Sequence, residues 1–257
     1  MRRSVLIVLA FLFCATAAFA LSQDLVNRLD YASAAFKELM DTPDQGVPQD
    51  LLKNCEAIAI FPRTLNIAWG LGGQYGKGVL LRHDKKRHDW SAPAFYNIGG
   101  LTIGPQIGGQ AIDIVLVVMN EKGLNSLLES KCTLGGDAGI ALGPVGRNAT
   151  ASTDLKLKAE IYSYSKAKGL YIGLSLKGAV VTADKGAIAE LYGNDTAARD
   201  ILLGRKGGIK PEAAKLLAEF RRHTPGYVPL KWMAFVWSVA LVIGIFFIGR
   251  NLLIRRG

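Results

Sequence analysis

The stretch from Trp90 to Met119 restricts the possible folds of this chain more than any other part of the sequence. It carries glycines at positions 99, 100, 104, 108 and 109, followed by an apolar run from Ile112 to Met119 that has the length of a β-strand. When this run is extended, both of its faces are mostly apolar, so both must be covered by other parts of the protein. The glycines lack a Cβ atom and allow a strand to bend sharply. We therefore predict a strand in the wall of a β-barrel, with helices against its outer face.

Further segments have the patterns of β-strands. Residues 57–61 are apolar and are followed by Pro62, which predicts that this strand ends there. Residues 67–81 contain glycines between two apolar groups, which predicts a strand, a turn and a second strand. Residues 155–162 and 170–176 each alternate between apolar and polar side chains, and the turn residues between them predict a hairpin.

Helical patterns stand on both sides of these strands. Residues 21–40 carry apolar side chains every three or four positions, which predicts an amphipathic helix that packs on the core or inserts into a membrane surface. Near the other end, Asp184 can cap one helix, Thr196 can begin a second and Pro211 a third. Because strands and helices do not alternate regularly, we predict an α+β fold with an antiparallel β-barrel core, about three to five helices packed on its outside, and a C-terminal transmembrane helix.

The N-terminus has the order of a secretory signal peptide. Met1-Arg2-Arg3 is followed by an apolar run from Val5 to Phe13 and by the small-residue site Ala18-Phe19-Ala20. We therefore expect residues 1–20 to be a signal peptide that is cleaved after Ala20. The alternative is a short amphipathic or buried N-terminal helix.

The C-terminus has the pattern of a membrane anchor. Residues 232–249 contain no charged side chain and are long enough to cross a hydrocarbon layer about 30 Å thick. We expect a linker at 225–231, a transmembrane helix at 232–249 and a basic cytoplasmic tail at 250–257. The alternative is a hydrophobic helix within a soluble core. With the signal peptide, this pattern predicts a single-pass protein of the cell membrane whose main domain, residues 21–224, is exported to the periplasm or the cell exterior.

The charge and the cysteines restrict the partners of this domain. The formal net charge is +10, which favours acidic partners, and for an exported protein at a bilayer these are lipid headgroups and not nucleic acid. Cys55 and Cys132 are the cysteines that remain after signal cleavage. They can form a disulfide in an oxidising compartment or stay as two buried free thiols, and the sequence leaves both possibilities open.

The sequence gives no pattern for a catalytic, cofactor or metal site. The Gly76-Lys77 pair lacks both the glycine five residues earlier and the hydroxyl residue that a phosphate-binding loop requires. The loop 83–89 contains histidines and aspartates, but three cations lie between them, which favours a solvated loop over a metal site. Asp113 on the apolar strand is interpreted as a hydrogen-bonded barrel residue, with a general base as the alternative. We expect a protein that is not an enzyme.

Several motifs in one order resemble the SYLF domain. The resemblance covers residues 22–222 and rests on motifs rich in glycine, proline and aromatic residues: Ala59-Ile60-Phe61-Pro62, Gly72-Gly73 to Leu80, Trp90-Ser91-Ala92-Pro93, Gly104-Pro105-Gln106-Ile107-Gly108, Gly143-Pro144-Val145-Gly146-Arg147 and Tyr164 to Leu170. It implies a β-barrel core with helices and binding of anionic lipids. The eukaryotic members also carry SH3 or FYVE modules and contact actin; we see neither module in this sequence and do not expect an exported domain to meet actin.

These observations lead to a functional prediction. We expect a membrane-anchored cell-envelope module that binds anionic phospholipid headgroups through a basic rim. The predicted lipid-binding residues are Lys85, Lys86, Arg87, Lys166 and Lys168, which lie in a charged loop and at the tip of the predicted hairpin. Two alternatives remain open: a barrel that carries an apolar small molecule or lipid, and a scaffold for another envelope protein.

Overall fold

The helices and strands lie in one α+β domain. The computed structural model describes residues 22–42, 46–144, 159–167, 170–172 and 176–224. The α-helices are α1 (Gln23–Asp41), α2 (Gln49–Asn54), α3 (Glu121–Leu128), α4 (Lys185–Tyr192), α5 (Ala198–Leu202) and α6 (Ala214–His223), and a 3-10 turn at Pro211–Ala213 precedes α6. The strands are β1 (Ala57–Asp84), β2 (Asp89–Trp90), β3 (Ala94–Val118), β4 (Cys132–Thr133), β5 (Ile140–Leu142), β6 (Ile161–Ala167), β7 (Leu170–Ile172) and β8 (Val180–Ala183).

The strands form an eight-stranded sheet whose main path is β2-β1-β3-β6-β5. Strand β7 pairs with β6, and β8 pairs with both β3 and β4. The pairs are antiparallel except for β5 and β6, which run parallel. The α+β class is therefore confirmed. The sheet is strongly curled into a half-barrel, and no pairing within the described ranges closes it into the predicted barrel.

The two long strands β1 and β3 pair along almost their whole length, and this corrects two predictions. Strand β1 does not end at Pro62, and no turn divides it at residues 67–81. The reason is a bulge between Phe61 and Thr64, where Arg63 adopts a positive φ of 49°. The N–H of Arg63 donates to Oδ1 of Asp113 at 2.7 Å, so a side chain of β3 satisfies the backbone that leaves the regular ladder.

Strand β1 also bends back on itself. A Cβ atom at Gly78 would lie 2.1 Å from the carbonyl oxygen of Ile60, and one at Gly76 would lie 2.2 Å from Oγ1 of Thr64. These two legs of one strand approach so closely that no larger side chain fits between them. The sequence predicted a bend at the glycines of β3, and this close approach shows instead a bend in its partner β1, which was not predicted.

Helices cover one part of this sheet. The run from Ile112 to Val118 is buried on both faces, except for the half-buried Asp113, as predicted for a strand with cover on both sides. Helix α1 is amphipathic, and its apolar side chains pack into the core. The ring of Phe36 on α1 stacks on Phe220 of α6 at 4.1 Å, and Phe220 contacts Trp90 edge-on at 4.7 Å. The described helices number six, more than the three to five expected.

The closing helices follow their predicted capping signals only in part. Asp184 Oδ1 accepts the N–H of Ala187, which caps α4 as expected. Thr196 does not cap α5, because its hydroxyl donates to the carbonyl oxygen of Tyr192 and Ala197 is the N-cap residue. Cys55 and Cys132 are both buried and free, so the open question between a disulfide and two thiols resolves to thiols.

The terminal predictions lie beyond the part of the chain that the structure describes. This applies to the signal peptide at 1–20, the linker at 225–231, the transmembrane helix at 232–249 and the tail at 250–257. Among the described helices, none combines the length and the apolar character needed to cross a bilayer.

Candidate functional site

The turn between β1 and β2 presents a group of cations to solvent. The carboxylate of Asp84 accepts the N–H groups of Lys86 at 3.1 Å and of Arg87 at 3.2 Å, which fixes the turn at residues 85–88. The side chains of Lys85, Lys86 and Arg87 are exposed. Lys85 forms an ion pair with Glu56 at 2.6 Å. The turn is thus ordered by hydrogen bonds and exposes positively charged side chains to solvent.

A cleft of about 380 Å³ opens beside this turn. One wall is formed by Arg82, Arg87 and the end of β1, and the opposite wall is formed by the loop after α5, which contributes Lys206. The buried side chains of Trp90 and Ile201 form apolar parts of the lining. The cleft therefore combines three cations with an apolar surface, which suits a ligand that has an anionic group and an apolar body.

The loop after α5 owes its shape to glycine. Gly204, Gly207 and Gly208 have φ values of 67°, 86° and 28°, which side chains other than glycine rarely adopt. Between them, Lys206 donates to the carbonyl oxygen of Asp195 at 2.9 Å. Lys206 lines the cleft, and among the described residues it forms no ion pair with a carboxylate.

The acidic residues of the cleft are already occupied by protein donors. Arg221 contacts both carboxylate oxygens of Asp89, at 2.7 and 2.9 Å. Asp84 accepts the turn N–H groups described above. In contrast, Nε of Arg82 is buried and has no hydrogen-bond partner within the described residues. A buried guanidinium N–H without an acceptor is costly.

The five predicted lipid-binding residues do not form one cluster. Lys85, Lys86 and Arg87 lie together at the β1–β2 turn. Lys166 lies on β6 opposite Asp113 of β3, pairs with Glu38 of α1 at 2.7 Å, and has only 12% of its side chain exposed. Lys168 falls outside the described residues.

The strand register gives the separation between the two basic groups. The N–H of Glu56, the ion-pair partner of Lys85, donates to the carbonyl oxygen of Val118. Lys166 is paired with Asp113, which precedes Val118 by five residues on β3. Five residues of a strand span about 16 Å. The basic turn and the β6–β7 hairpin are therefore separate features of the surface.

Asp113 is held by the protein backbone. Burial raises the pKa of its carboxyl group, and the hydrogen bond from the N–H of Arg63 opposes this rise. Because that N–H belongs to the bulge of β1, the carboxylate stabilises this bulge. This geometry supports the interpretation of Asp113 as a hydrogen-bonded residue of the sheet.

Sequence reasoning missed Arg82, Trp90 and Lys206 as residues of the cleft. Arg82 belongs to a strand whose bend was not predicted, and Lys206 is far from the turn in the sequence. One sequence pattern could have indicated Lys206. Glycines surround two adjacent cations in the segment Gly204-Arg205-Lys206-Gly207-Gly208, and this pattern is typical of a loop that exposes charged side chains.

Comparison with known proteins gives a consistent result. A family model described as "Las17-binding protein actin regulator" (Ysc84) matches residues 99–223. LAS seventeen-binding protein 3 of Saccharomyces cerevisiae is 32% identical over 174 residues, which cover 66% of this chain and 37% of that protein. Protein YSC84 of the same yeast is 31% identical over 177 residues, or 68% of this chain and 37% of that protein.

A vertebrate relative shows the same similarity. The SH3 domain-containing YSC84-like protein 1 of Xenopus laevis is 30% identical over 179 residues, which cover 69% of this chain and 52% of that protein. The chain thus spans between 37% and 52% of the length of these three relatives.

Proposed function

Because the chain belongs to the SYLF family, we propose that it is a membrane-anchored module that binds anionic phospholipid headgroups at the basic cleft and the adjoining β1–β2 turn. The observation that carries this proposal is the cleft that Arg82, Arg87 and Lys206 line beside the apolar side chains of Trp90 and Ile201. A phosphate group accepts hydrogen bonds from guanidinium and ammonium groups, and the apolar lining accommodates the glycerol and first acyl carbons.

The expected affinity is modest and depends on salt. Each Lys or Arg close to an anionic membrane surface contributes about 1 kcal/mol, so Arg82, Lys86, Arg87 and Lys206 together are sufficient for weak binding. Exposed charges are screened over about 8 Å at physiological ionic strength, so most of this attraction is lost at high salt. Binding that depended mainly on apolar contacts with the lipid would be less sensitive to salt.

The remaining predicted rim residues belong to this proposal in a secondary role. Lys85 and Lys166 contact lipid only after exchanging Glu56 and Glu38 for a headgroup. Exchange is easier for Lys85, because 42% of its side chain is exposed compared with 12% for Lys166. Lys168 would contribute charge at the β6–β7 hairpin.

The cellular location is also a proposal. The signal-like residues 1–20 and the uncharged segment 232–249 support an exported domain tethered to the cell membrane, with the tail 250–257 in the cytoplasm. A C-terminal alkaline phosphatase fusion tests the orientation. We expect an inactive fusion, and an active one would place the C-terminus outside and contradict this topology.

Titration with short-chain lipids tests headgroup binding. The full-length chain in neutral detergent is titrated with dihexanoyl phosphatidylserine and, separately, with dihexanoyl phosphatidylcholine, and heat release gives the affinity. We expect tighter binding of the anionic lipid. Arg87→Gln and Lys206→Gln should each weaken it about fivefold, the equivalent of about 1 kcal/mol.

The matched control is Lys131→Gln. Lys131 is an exposed lysine that does not line the cleft, so its loss changes the net charge equally but should leave the affinity within about twofold. Equal affinity for the two lipids, or equal effects of the three substitutions, would contradict the proposal.

A protein partner is the second candidate. Two relatives are named as a LAS seventeen-binding protein and as an SH3 domain-containing protein, which supports a domain that works beside protein partners. For this chain we propose a scaffold role in the cell envelope as the alternative. Crosslinking in cells with a photoreactive residue at position 87 distinguishes the candidates, since lipid adducts support the first and a single protein adduct supports the second.

The carrier alternative has less support. Phe61, Phe95 and Tyr96 are among the largest side chains of the protein core and are completely buried. Such packing leaves little room for a cargo molecule. Native mass spectrometry of the purified chain decides this point, because a retained lipid would favour the carrier.

A further inference from the structure

The middle of the β1–β3 ribbon has an inverted pattern of burial. On β1, the polar side chains of Asn66 and Gln74 are 3% and 5% exposed. The neighbouring apolar side chains of Leu65, Ile67 and Tyr75 are 55%, 62% and 53% exposed. A strand of a soluble protein normally shows the opposite alternation, with apolar side chains inside.

The exposed apolar residues share one face of the ribbon. Leu101 of β3, which is 79% exposed, lies beside this set because its pairing partner Gly73 is two residues from Tyr75. Leu65, Tyr75 and the exposed Tyr31 of α1 line a single cleft of about 250 Å³. We call Tyr31, Leu65, Ile67, Tyr75 and Leu101 the ribbon surface. Contiguous apolar surfaces of this kind usually mark an interaction site.

The composition of the ribbon indicates what covers this surface. Residues 65–76 and 98–112 contain no charged side chain. The nearest charged residues of β1 on either side of this range are the exposed cations Arg63 and Lys77, which line the same cleft. Arg63 lies over the ring of Tyr31 at 4.7 Å, and Lys77 pairs with Asp24 at 2.9 Å. An uncharged apolar surface bordered by tyrosines and cations matches the order of groups across a membrane interface.

We propose that the ribbon surface inserts into the outer part of a lipid bilayer, with Arg63 and Lys77 at the level of the headgroups. This inference rests on the proposed function in that both place the domain at a membrane, but it concerns other residues and hydrocarbon instead of headgroup. The insertion is shallow. The bilayer meets one face of a two-stranded antiparallel ribbon, which suits binding at the interface.

A fluorescent probe on the ribbon tests the insertion. In a full-length chain carrying Cys14→Ser, Leu101→Cys is labelled with NBD maleimide, and the chain is reconstituted into phosphatidylcholine vesicles with and without phosphatidylserine. Cys55 and Cys132 are 0% exposed, so the probe reacts with the introduced thiol. We expect a blue-shifted emission that phospholipids with a nitroxide on the acyl chain quench.

The matched control is Leu142→Cys. Leu142 is 56% exposed on β5 and is not part of the ribbon surface, so its probe should keep the emission of an aqueous site and resist quenching. Equal emission and quenching at both positions would overturn the proposal.

A variant separates this inference from the proposed function. Leu101→Glu combined with Ile67→Glu should abolish quenching of an NBD probe placed at Tyr75→Cys, whereas the affinity for dihexanoyl phosphatidylserine should stay within about twofold. Loss of phosphatidylserine selectivity with quenching intact would contradict the headgroup site alone. Selectivity without quenching in the chain that keeps Leu101 and Ile67 would contradict the insertion alone.

Self-association is the remaining outcome. If the Leu101 probe is already blue-shifted without vesicles, and light scattering shows that the double glutamate variant converts a dimer to a monomer, the ribbon surface binds a second copy of the chain. That result would also overturn the membrane proposal.

Discussion

Nη1 of Arg28 lies 2.8 Å from Oδ2 of Asp184, so the first described helix is fixed to the residue that caps α4. The same guanidinium donates to the carbonyl oxygen of Gly78 at 2.9 Å and to that of Tyr96. Burial would raise the pKa of Asp184, but the hydrogen bonds from Arg28 and the N–H of Ala187 outweigh it and hold the pKa below its ordinary value. A single side chain therefore joins α1, β1, β3 and α4.

Replacing Arg28 should strongly destabilise the domain. Arg28→Met leaves two buried carbonyl oxygens and a partly buried carboxylate without their donor, and we expect a loss of about 3 kcal/mol in the free energy of unfolding. Urea denaturation followed by circular dichroism measures this loss. The control is Lys77→Met, which removes an exposed ion pair between α1 and β1 and should cost less than about 1 kcal/mol. Equal losses would show that Arg28 has no special structural role.

The bend of β1 predicts a sharp difference between two glycines. Gly78→Ala would place a methyl group 2.1 Å from the carbonyl oxygen of Ile60, whereas the nearest atom to a methyl group at Gly73 is 3.9 Å away. We expect Gly78→Ala to lower the free energy of unfolding by about 3 kcal/mol. Gly73→Ala should be neutral or stabilise by up to about 1 kcal/mol, because alanine loses less backbone entropy. Thermal denaturation of both variants tests the bend directly.

His83 should make the domain less stable in acid. Burial lowers the pKa of His83 below 6.5, and neighbouring Lys85 also lowers it, so the folded protein keeps the imidazole neutral. Below pH 6.5 the unfolded chain binds a proton that the folded chain does not, and the stability therefore falls as the pH decreases.

His83→Phe tests this origin. Phenylalanine preserves a ring that can stack on Trp90, as His83 does at 4.7 Å, but it cannot be protonated. We expect the free energy of unfolding to fall less steeply with pH, by about 1.4 kcal/mol per pH unit for the one missing proton. Leu142→Phe, at an exposed position without a titratable side chain, is the control and should leave the slope unchanged. An unchanged slope in His83→Phe would disprove this origin.

The two buried thiols should react only when the domain unfolds. Burial raises the pKa of Cys55 to about 12 and that of Cys132 to about 11, so neither forms the reactive thiolate at neutral pH. In a chain carrying Cys14→Ser, a disulfide reagent should detect neither thiol in the native protein and both in denaturant. Rapid reaction of the native protein would contradict the burial of both residues, and a reductant should leave the melting temperature unchanged because both cysteines are free.

Local patterns in the sequence determined the elements of this protein. The apolar run at 112–118, the helical spacing in α1 and the cap at Asp184 were all predictable, because each depends on side chains within a few residues of one another. The SYLF motifs were also sufficient to identify the family.

The tertiary structure alone decided how these elements meet. Arg82 and Lys206 line one cleft, and Lys166 pairs with Glu38, although the partners in each case are more than one hundred residues apart in the sequence. The bulge at Arg63 is held by a hydrogen bond to Asp113, which is fifty residues away in the sequence. Such contacts follow from the angles and register of long paired strands, which no local pattern of side chains specifies.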